Sequence, residues 1–136
     1  MTIIGFNFTK IDAEKKASSK GKISISNNVS ITNVAEKELS ITSDKQKVIN
    51  FTFEFVSRYD PDMGMIKLVG DVLYMDETKN AKSIVDQWKK EKKIPKEVTM
   101  KVLNTVLGKC NIHALILSEQ LTLPPPIPLP KVKPSP

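Results

Sequence analysis

The chain has 136 residues, a hydrophobic share of 40% and a formal net charge of +6 with a pI of about 9.4, which suits one domain with one modest core. No apolar run approaches the roughly 18 residues a membrane-spanning helix needs. The opening MTIIGFNFTKIDAEKK lacks the basic-then-apolar order of a signal peptide, so a cytoplasmic protein without membrane insertion is expected.

The first element is a half-buried strand within Thr2 to Asp12, because Ile4, Phe6 and Phe8 share one face at period two. Glu14 to Gly21 is polar and turn-like. Ile23, Ile25, Val29 and Ile31 keep the same parity around Asn27-Asn28, which makes either one strand with a bulge or a tight Asn-Asn turn. Asn33 to Gln46 is polar with isolated Val34, Leu39 and Ile41, a loop or a weak edge strand. The clearest β signal runs from Lys47 to Tyr59, with Ile49, Phe51, Phe53, Phe55 and Tyr59 on one face. The turn Asp60-Pro61-Asp62-Met63-Gly64 follows, with Pro and Gly where turn chemistry wants them. Met65 to Met75 then alternates through Ile66, Leu68, Val72 and Tyr74. Gly70 in its middle marks a bulge or a close backbone approach. The short connection makes the pair an antiparallel hairpin.

The period now changes to that of a helix. Ala81, Ile84, Val85 and Trp88 are spaced i, i+3, i+4, i+7, with Asp76 as a candidate cap and Lys79, Lys82, Lys89 and Lys90 opposite. Pro95 ends this helix and can open the next. The second helix spans about Lys96 to Glu119, on a stripe of Val98, Val102, Leu103, Val106, Leu107, Cys110, Ala114 and Leu117. At 1.5 Å per residue it is roughly 35 Å long. Ile112, Leu115 and Ile116 widen its apolar surface beyond what one sheet needs, which points to a partner, often a second copy of the chain. Strands followed by helices make residues 1–122 a single α+β domain. Residues 123–136 are an extended Pro-rich tail, incompatible with a helix or a ladder-paired strand.

Groups able to carry out chemistry are scarce. The single cysteine, Cys110, excludes an intrachain disulfide framework and reads as a buried thiol. His113 is the only histidine, and one Cys-x-x-His pair supplies too few ligands for zinc. The glycines are scattered, so no phosphate loop exists. Asp60 and Asp62 belong to a turn. No catalytic residue, metal or cofactor is therefore assigned. Two features remain as candidate contact sites. Lys89, Lys90, Lys92, Lys93, Lys96, Lys101, Lys131 and Lys133 could meet an anionic partner such as RNA. Leu123, Pro124, Pro125, Pro126, Ile127, Pro128, Leu129 and Pro130 form a candidate docking tail, whose apolar side chains a plain spacer would not need.

In order, FNFTKI, the hairpin FTFEFVSRYDPDMGMIKLVGDVLY, the long helix NTVLGKCNIHALIL and the exit LTLPPPIPLP resemble the SecB export-chaperone fold, in the manner of a small archaeal-type SecB-like family. The resemblance covers roughly Gly5 to Pro130. It implies a four-stranded antiparallel sheet packed by a short and a long C-terminal helix. It also implies dimers or tetramers built through strands and the long helix, and binding of unfolded polypeptide without nucleotide. The charge departs from that pattern, since SecB chaperones are acidic and lack a basic Pro-rich ending. Two functions follow as expectations. The first is a non-enzymatic, chaperone-like protein that holds unfolded or nascent polypeptide and forms a homo-oligomer unless docked on a larger assembly. The alternative is a ribosome-associated or RNA-binding accessory protein, anchored on rRNA through its lysines and tail.

Overall fold

The computed structural model describes residues 2–16, 22–38 and 45–130. Four strands come first, β1 (Thr2–Lys15), β2 (Ser24–Lys37), β3 (Gln46–Asp60) and β4 (Gly64–Glu77), followed by helices α1 (Thr78–Glu91) and α2 (Lys96–Gln120). The strands form one antiparallel sheet in the order β1-β4-β3-β2, so the expected hairpin is its centre and the first two strands are its edges.

The central pair behaves as its alternation predicts. Phe51, Phe53, Phe55, Tyr59, Ile66, Leu68, Val72 and Tyr74 are all buried on the helix side. Among the described residues no helix covers the opposite face. It is held by polar cross-strand pairs, Glu54 with Lys67 at 3.7 Å and Thr52 with Asp71 at 3.0 Å, of the kind that steady a wetted sheet. Gly70 is the close approach suspected from its position. A Cβ there would lie 2.2 Å from the Asn7 carbonyl oxygen and 2.7 Å from Phe53 Cζ. The Phe53 ring thus fills the space a side chain would take, and it stacks on Phe6 with centroids 5.2 Å apart.

The edge strands depart from simple alternation. β1 is bulged at Ile4 and Thr9, and each bulge inserts a residue that reverses which side chains face the core. Ile3, Phe6, Phe8 and Ala13 therefore pack inward, while Ile4, expected beside Phe6 and Phe8, is 39% exposed. Asn27-Asn28 is not a turn. β2 runs straight through it, opposite Ser57 and Val56, and its irregularity lies at Thr32. The hydroxyls of the bulged Thr9 and Thr32 donate to the carbonyls of Val69 and Thr52, both at 3.3 Å, partly satisfying groups that an interrupted ladder leaves open. Of the two readings of the stretch from Asn33, the edge strand holds as far as Lys37, where β2 ends, and Leu39 and Ile41 lie outside the described residues. The polar segment from Glu14 likewise begins as strand, since β1 runs to Lys15.

α1 begins one residue later than a cap at Asp76 would require. Glu77 is the N-cap, and the Asp76 carboxylate accepts from the Glu77 backbone N–H at 2.7 Å and from Asn80 Nδ2 at 3.2 Å. Ala81, Ile84 and Val85 are buried, and Trp88 is partly buried against the core. On α2 the buried line is Val98, Val102, Val106, Cys110, Ala114 and Ser118, every fourth residue. A four-residue step overshoots one helical turn by about 40°, so this line winds around the helix as it crosses the sheet. Its side chains are all small, which sets the helix close to the strands. Leu103, Leu107 and Leu117 are only partly buried, and Met100, Ile112 and Ile116 are exposed. No helix among the described residues is long and apolar enough to cross a membrane.

Candidate functional site

Only part of the expected chemistry-poor character is a matter of geometry. Cys110 is fully buried, and burial pushes its thiol up to about 12, because a thiolate there would lose its hydration. His113 faces Phe8 edge-on, with ring centroids 4.5 Å apart. Among the described residues no three of His, Cys, Asp and Glu come together as metal ligands would.

The lysines occupy one corner. Lys89 and Lys90 close α1, and Lys92, in the left-handed conformation, caps it through its N–H to the Trp88 carbonyl. Lys93, Lys96 and Lys101 follow around the turn into α2, and all six are exposed. None pairs with a carboxylate among the described residues. Lys92 Nζ instead sits 5.2 Å from the centre of the Trp88 ring, a cation–π contact. Lys131 and Lys133 lie outside the described residues.

The segment after α2 follows a defined path. The helix is closed by the Leu121 and Leu123 N–H groups, which donate to the carbonyls of Leu117 and Ser118 at 3.1 and 2.8 Å. Thr122 takes a positive φ of 55°, and Lys15 Nζ donates to its hydroxyl at 2.7 Å. Leu123 then enters the core, beside Gly64. From there the chain crosses the end of the sheet. The Tyr59 hydroxyl donates to the Pro124 carbonyl at 2.7 Å, and Asn27 Nδ2 donates to the Pro126 carbonyl at 2.8 Å. The Asn27 side-chain oxygen accepts in turn from the Ser57 hydroxyl, which fixes the amide with its donors toward the tail. Pro126 is buried, Ile127 partly so, and Pro128, Leu129 and Pro130 are exposed.

The chemistry of this crossing follows from the residue types. Prolines have no N–H, so a Pro run offers carbonyl oxygens alone. The sheet supplies the matching donors from side chains rather than from a β ladder. Tyr59 is 1% exposed, and a buried phenol needs a partner for its hydroxyl. Two clefts border the crossing. One, of about 560 Å³, lies between the last turns of α2 and the tail, among Leu115, Ser118, Leu123, Pro125 and Leu129. The other, of about 580 Å³, lies between the tail and β2, at Ile25 and Asn27. Tyr59 and Asn27 were not singled out in the sequence. The signal for Tyr59 was its hydroxyl, with that of Ser57, at the end of a strand face that is apolar from Ile49 to Phe55. For Asn27 it was a polar residue sharing the parity of Ile25 and Val29.

Four antiparallel strands followed by two C-terminal helices make this a SecB-like α+β fold. A solved structure that matches it is the Mycobacterium tuberculosis Rv1957 SecB-like chaperone, in complex with a ChAD peptide from the Rv1956 HigA1 antitoxin. The TM-score is 0.59 at 10% sequence identity, over 98% of this chain and 91% of that one. The likeness at this identity is one of fold. No protein-family model and no curated protein matches the sequence.

Proposed function

We propose that the chain is a non-catalytic, chaperone-like protein that holds unfolded or nascent polypeptide in the cytoplasm without a cofactor. The observation that carries this reading is apolar surface left open on a SecB-like fold. Ile11, Met100, Ile112 and Ile116 are each about half exposed or more, and an apolar cleft opens at the end of α2. Apolar surface of this kind suits an extended, apolar ligand. The structural neighbour is itself a chaperone seen with a peptide, which supports the reading at the level of the fold. Light scattering of a chemically unfolded client, with and without a molar excess of the chain, tests it. Delayed aggregation that persists or strengthens at high salt is the expected result, because apolar contacts survive salt. Unchanged aggregation would reject the role.

Self-association belongs to the same proposal. The outward side of α2, with Ile112 and Ile116 one turn apart and opposite buried Ala114, is the surface for a second copy. Light-scattering mass of the native chain should exceed the monomer's, and Ile112→Glu with Ile116→Glu should return it to monomer.

A second reading, attachment to rRNA, rests on the exposed lysines at the α1–α2 corner, none of which meets a carboxylate among the described residues. Its mark would be co-sedimentation with ribosomes that falls steeply as salt rises.

A further inference from the structure

We infer that Pro124–Leu129 is a built-in occupant of the chain's own polypeptide site, and that an extended apolar polypeptide exchanges with it on Tyr59 and Asn27. The inference rests on the holding role proposed above and adds where the client sits and what guards the place.

Three observations converge on it. First, the tail is held by its main chain. Tyr59 and Asn27 grip the carbonyls of Pro124 and Pro126, two residues apart. Every extended polypeptide presents carbonyls at that spacing, whatever its side chains. The two carbonyl bonds therefore read no side chain, as a site for unfolded chains must, while the apolar side chains of half-buried Ile127 and of Leu129 add the tail's own hold against the clefts. Second, the donors are set in advance. Tyr59 is anchored in the core, and Ser57 orients the Asn27 amide. Neither has to be ordered when a ligand arrives, which lowers the cost of binding. Third, the flanking clefts are only partly filled. Leu129 is 46% exposed although it borders both of them. Client side chains have room there that the prolines leave unused.

The tail forms few bonds because four of the six residues Pro124–Leu129 are prolines without an N–H, yet it is tethered. A short tether acts as a local concentration in the millimolar range. A free client competes against that concentration, so the site is guarded against weak ligands and yields to strong ones. Displacement is thus an equilibrium between a docked and a released tail, and the intact chain binds clients more weakly by the fraction released.

The test measures binding of fluorescein-labelled, reduced and carboxymethylated lactalbumin, a permanently unfolded probe. It compares the intact chain, a chain ending at Leu123, and a full-length Ile127→Glu, Leu129→Glu variant. Each altered form should bind the probe about tenfold more tightly, which corresponds to a tail docked roughly nine-tenths of the time. An unlabelled LTLPPPIPLP peptide in excess should drive the probe off the truncated chain. Asn27→Ala in that truncated chain should weaken probe and peptide alike, by several-fold. The full-length double variant keeps the test valid should the truncated chain fail to fold, which circular dichroism reads. Equal affinity of the intact and altered chains, or a peptide that fails to compete, overturns the inference and leaves the holding role standing. A probe bound by no form rejects the holding role itself, and the exchange with it.

Discussion

At the scale of single residues, Phe53 is the centre of the molecule. Its ring touches Phe6 and Phe8 and lies over Gly70. Phe53→Ala should cost about 3–5 kcal/mol, read by urea unfolding. Gly70→Ala should be costly for the converse reason. Its methyl would meet a backbone oxygen on β1 as well as the Phe53 ring, so it overpacks the sheet at about 1–3 kcal/mol or more. A cost near zero at either position would show that β1 does not close against β4 as described. Burial also raises two titrations, since the Tyr59 hydroxyl and the Cys110 thiol are both pushed up to about 12, from ordinary values of 10.0 and 9.0. Between those values the folded chain keeps protons that the unfolded chain has lost, so unfolding is favoured as pH rises. The stability they contribute is fully present below about pH 9 and is lost as pH climbs through 12. The urea midpoint should fall over that window, and Cys110→Ala should flatten the part of the fall that begins near pH 9. At neutral pH, Cys110 of the folded chain should resist iodoacetamide and react only as fast as the protein opens.

At the scale of elements, α2 carries a sharper contrast. Gly108 is exposed inside the helix, and a Cβ added there meets nothing within 4 Å. Gly108→Ala should therefore stabilise the chain by about 0.5–1 kcal/mol. Thermal melting of Gly70→Ala and Gly108→Ala should thus move in opposite directions. The elements also show how far the residues alone could be read. β3 and β4 pair without a register shift, and β4 alternates throughout while β3 does so from Ile49 to Phe55, because each is paired on both sides and covered by helices on one face, so burial dictates most of their pattern. β1 and β2 are edges, and their bulges at Ile4, Thr9 and Thr32 depend on which strand lies alongside. No local pattern reports a partner some sixty residues away, so Ile4 was expected inward, and the polar stretch after Asn33 left a loop and a weak edge strand equally open. The helical period of α2 was plain. Which part of its wide apolar surface meets the sheet was not, because that is decided by how closely small residues such as Ala114 and Ser118 let the backbone approach. The lysine corner was visible as a run of charge. The anchoring of the tail was not, since it depends on two donors from different strands converging on two carbonyls.

At the scale of the whole molecule, covering one face of the sheet leaves a lopsided body. Both helices and the tail crossing share the aromatic side, and polar pairs line the other. Apolar surface left open on the α2 side is what a second copy or a client would cover. The proposed self-association and client binding would therefore draw on neighbouring surface. Size-exclusion runs across a dilution series, with and without an unfolded client, should show whether the two compete or coexist. Competition would appear as a client-bound species of lower mass than the free assembly.

The strand order has a further consequence for how such a chain comes into being. Thr2 pairs with Met75, and β2 pairs with β3, so during synthesis the amino-terminal strand must wait for a partner that leaves the ribosome last of the four. The middle hairpin is joined by a turn of three residues, 61–63, and it is the natural nucleus onto which the outer strands zip from either side. Long-range pairing of this sort slows folding. Substitutions in the turn at Pro61–Met63 should retard refolding, whereas those on the outer rim, such as Phe6→Leu, should chiefly hasten unfolding. Stopped-flow chevrons would separate the two. Equal effects on both limbs at both places would mean that the sheet condenses all at once.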